Sequence, residues 1–336
     1  MPIVPAPAVL RAGEILMFLA HRPTDAFTVS ELARELDLPR ATCDAVVQAL
    51  TQSSLVVRRN HDLRYALGSA SIALGDAARV ANPTLQVGAV QAEQVARALG
   101  TCATLSLRQG TSSTVAGIFD HGPAFGPRAH AGQTIEHVPP FGAAYVAWHK
   151  DETEAWLARS PARLTTSDRR RLRDALAQVR RLGYSVIVAS PRRAELDAAL
   201  TTLATRPNAE QARRARDEVI SEMAHLDYLA GDLDDHTTQR VSLMSAPLFD
   251  RDGRAAASIL LFGPDHEITG AEIRARGEML AEAAARTTLL SGGTFPATHP
   301  RVAQQEPHTM AARPVRGQLP GRAAVSGCAA ADSLRA

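Results

Sequence analysis

Apolar and polar positions follow a helical rhythm at the start of this chain and a mixture of helical and strand rhythms after it. Leu10, Ile15, Leu16, Phe18 and Leu19 mark a first helix over 9–21, which Arg22-Pro23-Thr24-Asp25 ends. Thr28 followed three residues later by Glu31 is a capping box, so a second helix starts there, with Leu32, Ala33 and Leu36 on one apolar face. Asp37-Leu38-Pro39 breaks it, and Pro39 suits the first turn of the next helix, where its missing N–H costs little. That third helix is predicted to bury Val46, Val47, Ala49 and Leu50 and to show Arg40, Asp44, Ala45 and Gln48 outward. Leu55–Arg58 and Arg64–Leu67 read as strands around the polar turn Arg59-Asn60-His61-Asp62. A short helix, a tight turn, a helix with a small polar outer face and a hairpin have the form of a winged helix-turn-helix, which enters a DNA major groove. A small helical subdomain that packs on something else is the competing reading.

Beyond the hairpin, Ser69–Ala81 is helical up to Asn82-Pro83, and Leu85–Leu99 is helical with Gly100 as its C-cap. Residues 102–108 and 113–119 read as strands across a Gln109-Gly110 turn, and His121–Pro140 reads as loop. Short helices are predicted over 142–149 and 151–157, and a longer one from an N-cap at Ser167 to Leu182, before a strand over 184–189. Residues 191–235 are helical in composition and heavily charged, and they separate two strands that a short loop could join. Strands over 239–249 and 255–262 flank a hairpin turn at Asp250-Arg251-Asp252-Gly253, and an amphipathic helix closes the pattern over 269–290. From Ser291 onward the periodicity stops, and 291–336 reads as disordered.

Composition narrows the classes. At 336 residues and 45% apolar content the chain can build two or three domains with real cores. It has no run of about twenty apolar residues to span a membrane, and its start lacks the basic-then-apolar order of a secretory leader. Cys43, Cys102 and Cys328 are far apart and odd in number, which indicates neither a disulfide framework nor a zinc site and fits a reducing cytoplasm. Lys150 is the sole lysine among 37 basic residues, a bias of genome composition rather than of function. Residues 9–68 carry seven arginines and seven acidic residues, a thin electrostatic footprint for a nucleic-acid binder that two copies in a dimer would strengthen.

Other chemistries find little support. His121, His130 and His137 lie in one loop region without a converging fourth ligand and read as surface histidines, so no metal is expected. Asp232, Asp234 and Asp235 read as a solvated acidic loop, and Arg169, Arg170, Arg171 and Arg173 as the wet face of a helix. Ser112, Ser113, Ser190 and Ser242 lack a nucleophile-elbow context, and Gly122, Gly126 and Gly132 lack a following Gly-Lys-Ser/Thr, so neither catalytic residues nor a cofactor is expected. Phe119, Phe125, Phe141 and Phe262 are candidates for lining a pocket and equally for plain core packing.

The residues also carry a family. VSELARELDLPRATCDAVVQAL, then LVVRRNHDLRYALG, then a connecting helix resemble the winged-helix head of IclR-type transcriptional regulators. AGQTI at 131–135, PPFGAA at 139–144, VRRLGYSV at 179–186 and SAPLFDRDGR at 245–254 resemble the family's GAF-like effector domain, and Gly263-Pro264 follows where the family often has Ser-Gly-Pro. The resemblance implies an α+β chain: a head over 9–68, a linker helix over 69–84, a GAF-like mixed α/β domain over 85–290 with the insertion 191–235, and the tail. It implies a non-enzymatic, ligand-responsive regulator, a repressor more than an activator, binding double-stranded operator DNA as a homodimer or homotetramer. A protein-interaction module with a weakened or lost DNA-binding head is the alternative. DNA contacts would fall to Arg40, Thr42, Asp44, Ala45 and Gln48, with Arg58, Arg59 and Arg64 on the backbone. The family's usual recognition-helix Arg is Ala45 here, and Asp44 accepts from a cytosine amino group while repelling phosphate. Members that bind small oxo-acids often use a Cys, two Ser and a Gly-Lys where this chain has Leu243, Leu260 and Phe262, and Ala143-Ala144. With Phe119, Phe141 and Gly142 these positions predict an apolar or aromatic effector, or none.

Overall fold

The computed structural model describes residues 6–123, 129–189, 191–205, 209–225 and 234–303. The expectations placed on Phe125, Gly126, Ser190, Asp232, Cys328 and most of the tail lie outside these residues.

The head is three helices and a hairpin: α1 (Pro7–Ala20), α2 (Val29–Glu35), α3 (Arg40–Gln52), β1 (Val56–Arg58) and β2 (Tyr65–Leu67). Both halves of the capping box form, since Thr28 Oγ1 accepts from the Glu31 N–H and Glu31 accepts from the Thr28 N–H at 2.8 Å. The core is Ile15, Phe18, Leu19, Leu32, Val46, Val47, Leu50 and Val56. Cys43 is buried there too, whereas Ala49 is exposed, because the inward stripe of α3 runs through 43, 46, 47 and 50. Pro39 stands at the N-cap of α3, one position ahead of its predicted place. The strands are a residue shorter than the sequence suggests, and Leu63 joins the turn in a left-handed conformation. Phe27 pairs with Tyr65 through two backbone hydrogen bonds of 3.0 and 2.8 Å, which ties the hairpin to the segment before α2.

Helix α4 (Ser69–Val80) buries none of its residues and leads to α5 (Pro83–Leu99), capped by Asn82. The second domain is built on a six-stranded sheet in the order β5-β4-β3-β9-β8-β6, comprising β3 (Cys102–Gln109), β4 (Ser112–Asp120), β5 (Thr134–Glu136), β6 (Ser185–Val188), β8 (Val241–Phe249) and β9 (Ala255–Phe262). All its pairings are antiparallel. A two-stranded ribbon joins β7 (Thr238–Gln239) to β10 (Ile268–Thr269). Helices α5 and α11 (Gly270–Leu290) cover one face through Ala92, Val95, Leu105, Leu248, Ile259, Ile273 and Leu280. The other face carries α6 (Ala143–Val146), α7 (Lys150–Ala158), α8 (Thr166–Leu182), α9 (Arg193–Thr205) and α10 (Glu210–His225). Among the described residues no helix is long and apolar enough to cross a membrane.

Four departures have clear causes. Helix α8 is capped by Thr165 rather than Ser167: the Thr165–Asp168 spacing closes a capping box, which Ser167 with Arg170 cannot. Arg171 and Arg173 are not simply wet, since Arg171 donates to Asp168 and to the Ala224 carbonyl, and Arg173 makes a two-point pair with Glu154. The insertion is part of the core, where Leu196, Val219, Ile220, Met223 and Ala224 are buried with Trp156 and Leu176. Order also extends past 291. The Thr294 N–H donates to the Asp250 carbonyl at 2.9 Å, Phe295 packs on Phe249, and His299 is buried beside Trp148, before α12 (Pro300–Ala303).

Candidate nucleic-acid interface and ligand cavity

The outer face of α3 is open. Arg40, Ala45 and Gln48 are exposed, and Thr42 and Asp44 are half-buried. Gln48 Nε2 donates to Asp44 Oδ2 at 3.0 Å, so the two residues present a joint amide–carboxylate edge. On the hairpin, exposed Arg58 lies 5.9 Å from the ring centroid of Tyr65, and half-buried Arg59 sits at the start of the turn. Arg64 is placed differently. Its guanidinium donates to both Glu31 oxygens, at 2.8 and 3.2 Å, and to the Ala26 carbonyl at 2.9 Å. Glu31 is thereby held below the ordinary carboxylate range, first by the Thr28 N–H and then by Arg64. The sequence reading grouped Arg64 with the phosphate contacts; the structure uses it to lock the hairpin to the start of α2.

A cavity of about 560 Å³ opens between the sheet and the helices of the second face. Phe141, Gly142, Ala143, Leu243, Leu260 and Phe262 all line it, and so does Ala144. Phe119 does not. A bulge between Leu105 and Ser106 shifts the alternation of β4, so Ser113 and Val115 face the cavity while Phe119 joins the core under α5. Helices of the insertion add Leu196, Leu200 and Ile220. Across the sheet the lining is polar but uncharged: Thr104, Ser106, Ser113, Ser185, Ser245 and Ser258. Tyr145, fully buried, shares a hydrogen bond of 2.8 Å with Ser258 Oγ, and burial pushes its phenol up to about 12. The charged lining residues are Glu136, Arg213 and Arg216; Glu136 and Arg213 are exposed, and Arg216 is paired with Asp217.

His137 overturns the surface reading. It is 1% exposed, stacks on Tyr145 with centroids 4.3 Å apart, and lines the cavity with no partner for either ring nitrogen. Burial, with Arg108 and Arg159 nearby, lowers its pKa to about 3, so the ring is neutral. Gly142 explains its seat: with φ +83° and a hypothetical Cβ 2.6 Å from the His137 Cβ, only glycine fits. The sequence does hold one trace of this site, since Thr104 and Ser106 alternate with apolar residues in an otherwise buried strand. Nothing in it signals His137 or the insertion helices. Among the described residues no group of three His, Cys, Asp or Glu is placed to hold a metal ion.

Residues 8–60 match the family model of the IclR helix-turn-helix domain. Among curated proteins none matches the chain. Among solved structures, an IclR transcriptional regulator from Alicyclobacillus acidocaldarius is similar at 20% identity and a TM-score of 0.60, covering 86% of this chain and 100% of its own. The IclR of Thermotoga maritima is similar at 17% identity and a TM-score of 0.55, covering 84% and 98% respectively. An IclR homologue from Microbacterium hydrocarbonoxydans, complexed with 4-hydroxybenzoate, is similar at 15% identity and a TM-score of 0.54, again covering 84% and 98%. These likenesses establish the fold.

Proposed function

We propose that this chain, an IclR-type transcriptional regulator by its head and by its fold, holds operator DNA with paired heads in the cytoplasm and answers to an uncharged apolar or aromatic effector in the cavity. The observation that carries the effector class is the cavity lining. Leu243, Leu260, Phe262 and Ala143 converge there, the sheet contributes hydroxyls rather than charges, and His137 is neutral. A small carboxylate would surrender its hydration and meet only exposed Arg213 and an Arg216 that Asp217 already engages. A relative of the same fold is complexed with 4-hydroxybenzoate, which supports the aromatic ring of the ligand; the uncharged character rests on this cavity's own lining. Calorimetric titration tests this: an aromatic compound should bind tighter than pyruvate or glyoxylate, and the reverse order would overturn the reading.

Arg40, Thr42, Asp44, Ala45 and Gln48 would face the groove, and Arg58 and Arg59 the phosphates; the openness of these side chains supports that role. A dimer is supported by uncovered apolar side chains on α1 and α4: Val9, Leu10, Ile72, Leu74 and Val80 are all more than half exposed. Two heads a helical turn or more apart would read a pseudo-palindrome, and repression is the mode that the resemblance implies. A gel shift with the region upstream of its own gene should give a salt-sensitive band, and no band at low ionic strength would count against DNA binding. A protein-contact module with a lost head is not favoured, because residues 8–60 match a DNA-reading head whose outer helix face is open.

A further inference from the structure

The cavity has a wall that does not belong to the second domain. Met17 and His21, on and just after the first helix of the head, are among its lining residues. They press on the turn at 130–133, which is fixed to β4 by Gly132 N–H donating to the Val115 carbonyl at 2.8 Å and Val115 N–H donating to the Gln133 carbonyl at 2.9 Å. The approach is close: a Cβ on Gly132 would come within 2.9 Å of Met17 Cε and 3.5 Å of His21 Nε2. Helix α1 also packs against α9 of the insertion.

His21 is held in one tautomer. Its Nδ1 lies 2.7 Å from the Met17 carbonyl, which can only accept, so Nδ1 carries the proton. In the neutral ring Nε2 is then a bare acceptor. That atom is buried and has no hydrogen-bond partner. On the second domain's side His137, another lining residue, has two more unpartnered ring nitrogens, one a donor and one an acceptor in its neutral form. Buried polar atoms are nearly always paired, with protein, ordered water or ligand, and these three nitrogens are the groups a ligand reaching this wall would engage.

We propose that the effector site is shared between the two domains: a hydroxylated, uncharged aromatic ligand donates its hydroxyl proton to His21 Nε2 and bears directly on the head, in parallel with the α4 connection. This rests on the effector reading above and adds to it both the hydroxyl requirement and the route to the DNA-reading unit. A ligand that contacts His21 binds the docked head better than a displaced one, and this differential affinity is what shifting a conformational equilibrium requires.

The test uses the full chain with 2-naphthol and its methyl ether, 2-methoxynaphthalene, as probes, measured by titration calorimetry and by amide exchange over 7–20. We expect 2-naphthol to bind tighter than the ether and to slow exchange in α1. His21→Leu should weaken 2-naphthol roughly 3- to 10-fold and leave the ether unchanged, as loss of one hydrogen bond predicts. Met17→Ala, which opens the wall, should weaken both compounds, so the proposal does not depend on one variant folding. Binding of 2-naphthol that Ile187→Trp abolishes, but that His21→Leu, Met17→Ala and α1 exchange do not register, would overturn the shared site and leave the effector cavity standing. Failure of both probes to bind the unaltered chain at millimolar concentration would overturn the effector reading and the shared site with it.

Discussion

Arg64 separates two physical roles that the sequence places side by side in the hairpin. Replacing it with Ala removes two charge-assisted bonds to Glu31 and one to the Ala26 carbonyl. Such bonds contribute about 1.5–3 kcal/mol each when buried, but exposed pairs contribute about 0–1 kcal/mol in total. Arg64 and Glu31 side chains are 37% and 29% exposed, so the pair falls between these limits. The two-point geometry and the anchoring of Glu31 in its capping box favour about 1–2 kcal/mol for the whole cluster. Hydrogen exchange of the buried α3 amides should therefore accelerate roughly 5- to 30-fold in Arg64→Ala. If Arg58 and Arg59 carry the phosphate contacts, alanine at either should lower the slope of log affinity against log salt by about 1 and leave α3 protection intact. Arg64→Ala should leave that slope unchanged on the same duplex. An Arg64→Ala protein with normal α3 exchange and a slope lower by about 1 would refute the assignment. Acid gives an independent check. The folded-state pKa of Glu31 is depressed, so its contribution is fully present above the ordinary value of 4.5 and is lost as pH falls through the lowered value.

Four further outcomes follow from the packing. A Cβ on Gly277 would lie 2.1 Å from Tyr184 Cζ, so Gly277→Ala should destabilise the second domain by about 1–3 kcal/mol in urea unfolding through displacement of a buried ring. Asp168→Asn should cost about 1–2 kcal/mol and loosen α10 in hydrogen exchange, because Asp168 caps α8 while bonding Arg171 and His225. If exposed Ile72 and Leu74 carry the proposed dimer, Ile72→Glu with Leu74→Glu should shift sedimentation toward monomer, and an unchanged profile would remove α4 from that role. His299 is held neutral by burial, with a pKa lowered to about 4; its neutral burial stabilises the fold above pH 6.5 and less as pH falls towards 4, so His299→Phe should flatten acid sensitivity in that window.

Local chemistry was legible in the sequence where it is written in neighbouring residues. The Thr28–Glu31 box, the Asp37–Pro39 break and the hairpin turns at Gly110 and Gly253 need only short-range rules. Thr165 was equally readable, since the Thr-x-x-Asp spacing was present and Ser167 merely stood nearer the apolar run. Pairings over longer range were not. Arg64 finds Glu31 across 33 residues, and the Phe119 side chain is redirected by a bulge that involves a different strand. The cavity was half visible. The resemblance brought Leu243, Leu260 and Phe262 together, but His137, the insertion helices and the head's own Met17 and His21 reach it only through tertiary packing.

The segment between α11 and α12 sets where this chain tolerates being cut. Phe295 and His299 stack face to face and plug the gap beside Trp148 and Phe249, and Thr294 staples them to the β8–β9 hairpin through two hydrogen bonds. Proteolysis after Leu290 would pull that plug and wet two large rings, whereas a nick just after Ala303 would leave it seated. A tag or fusion partner therefore belongs beyond residue 303.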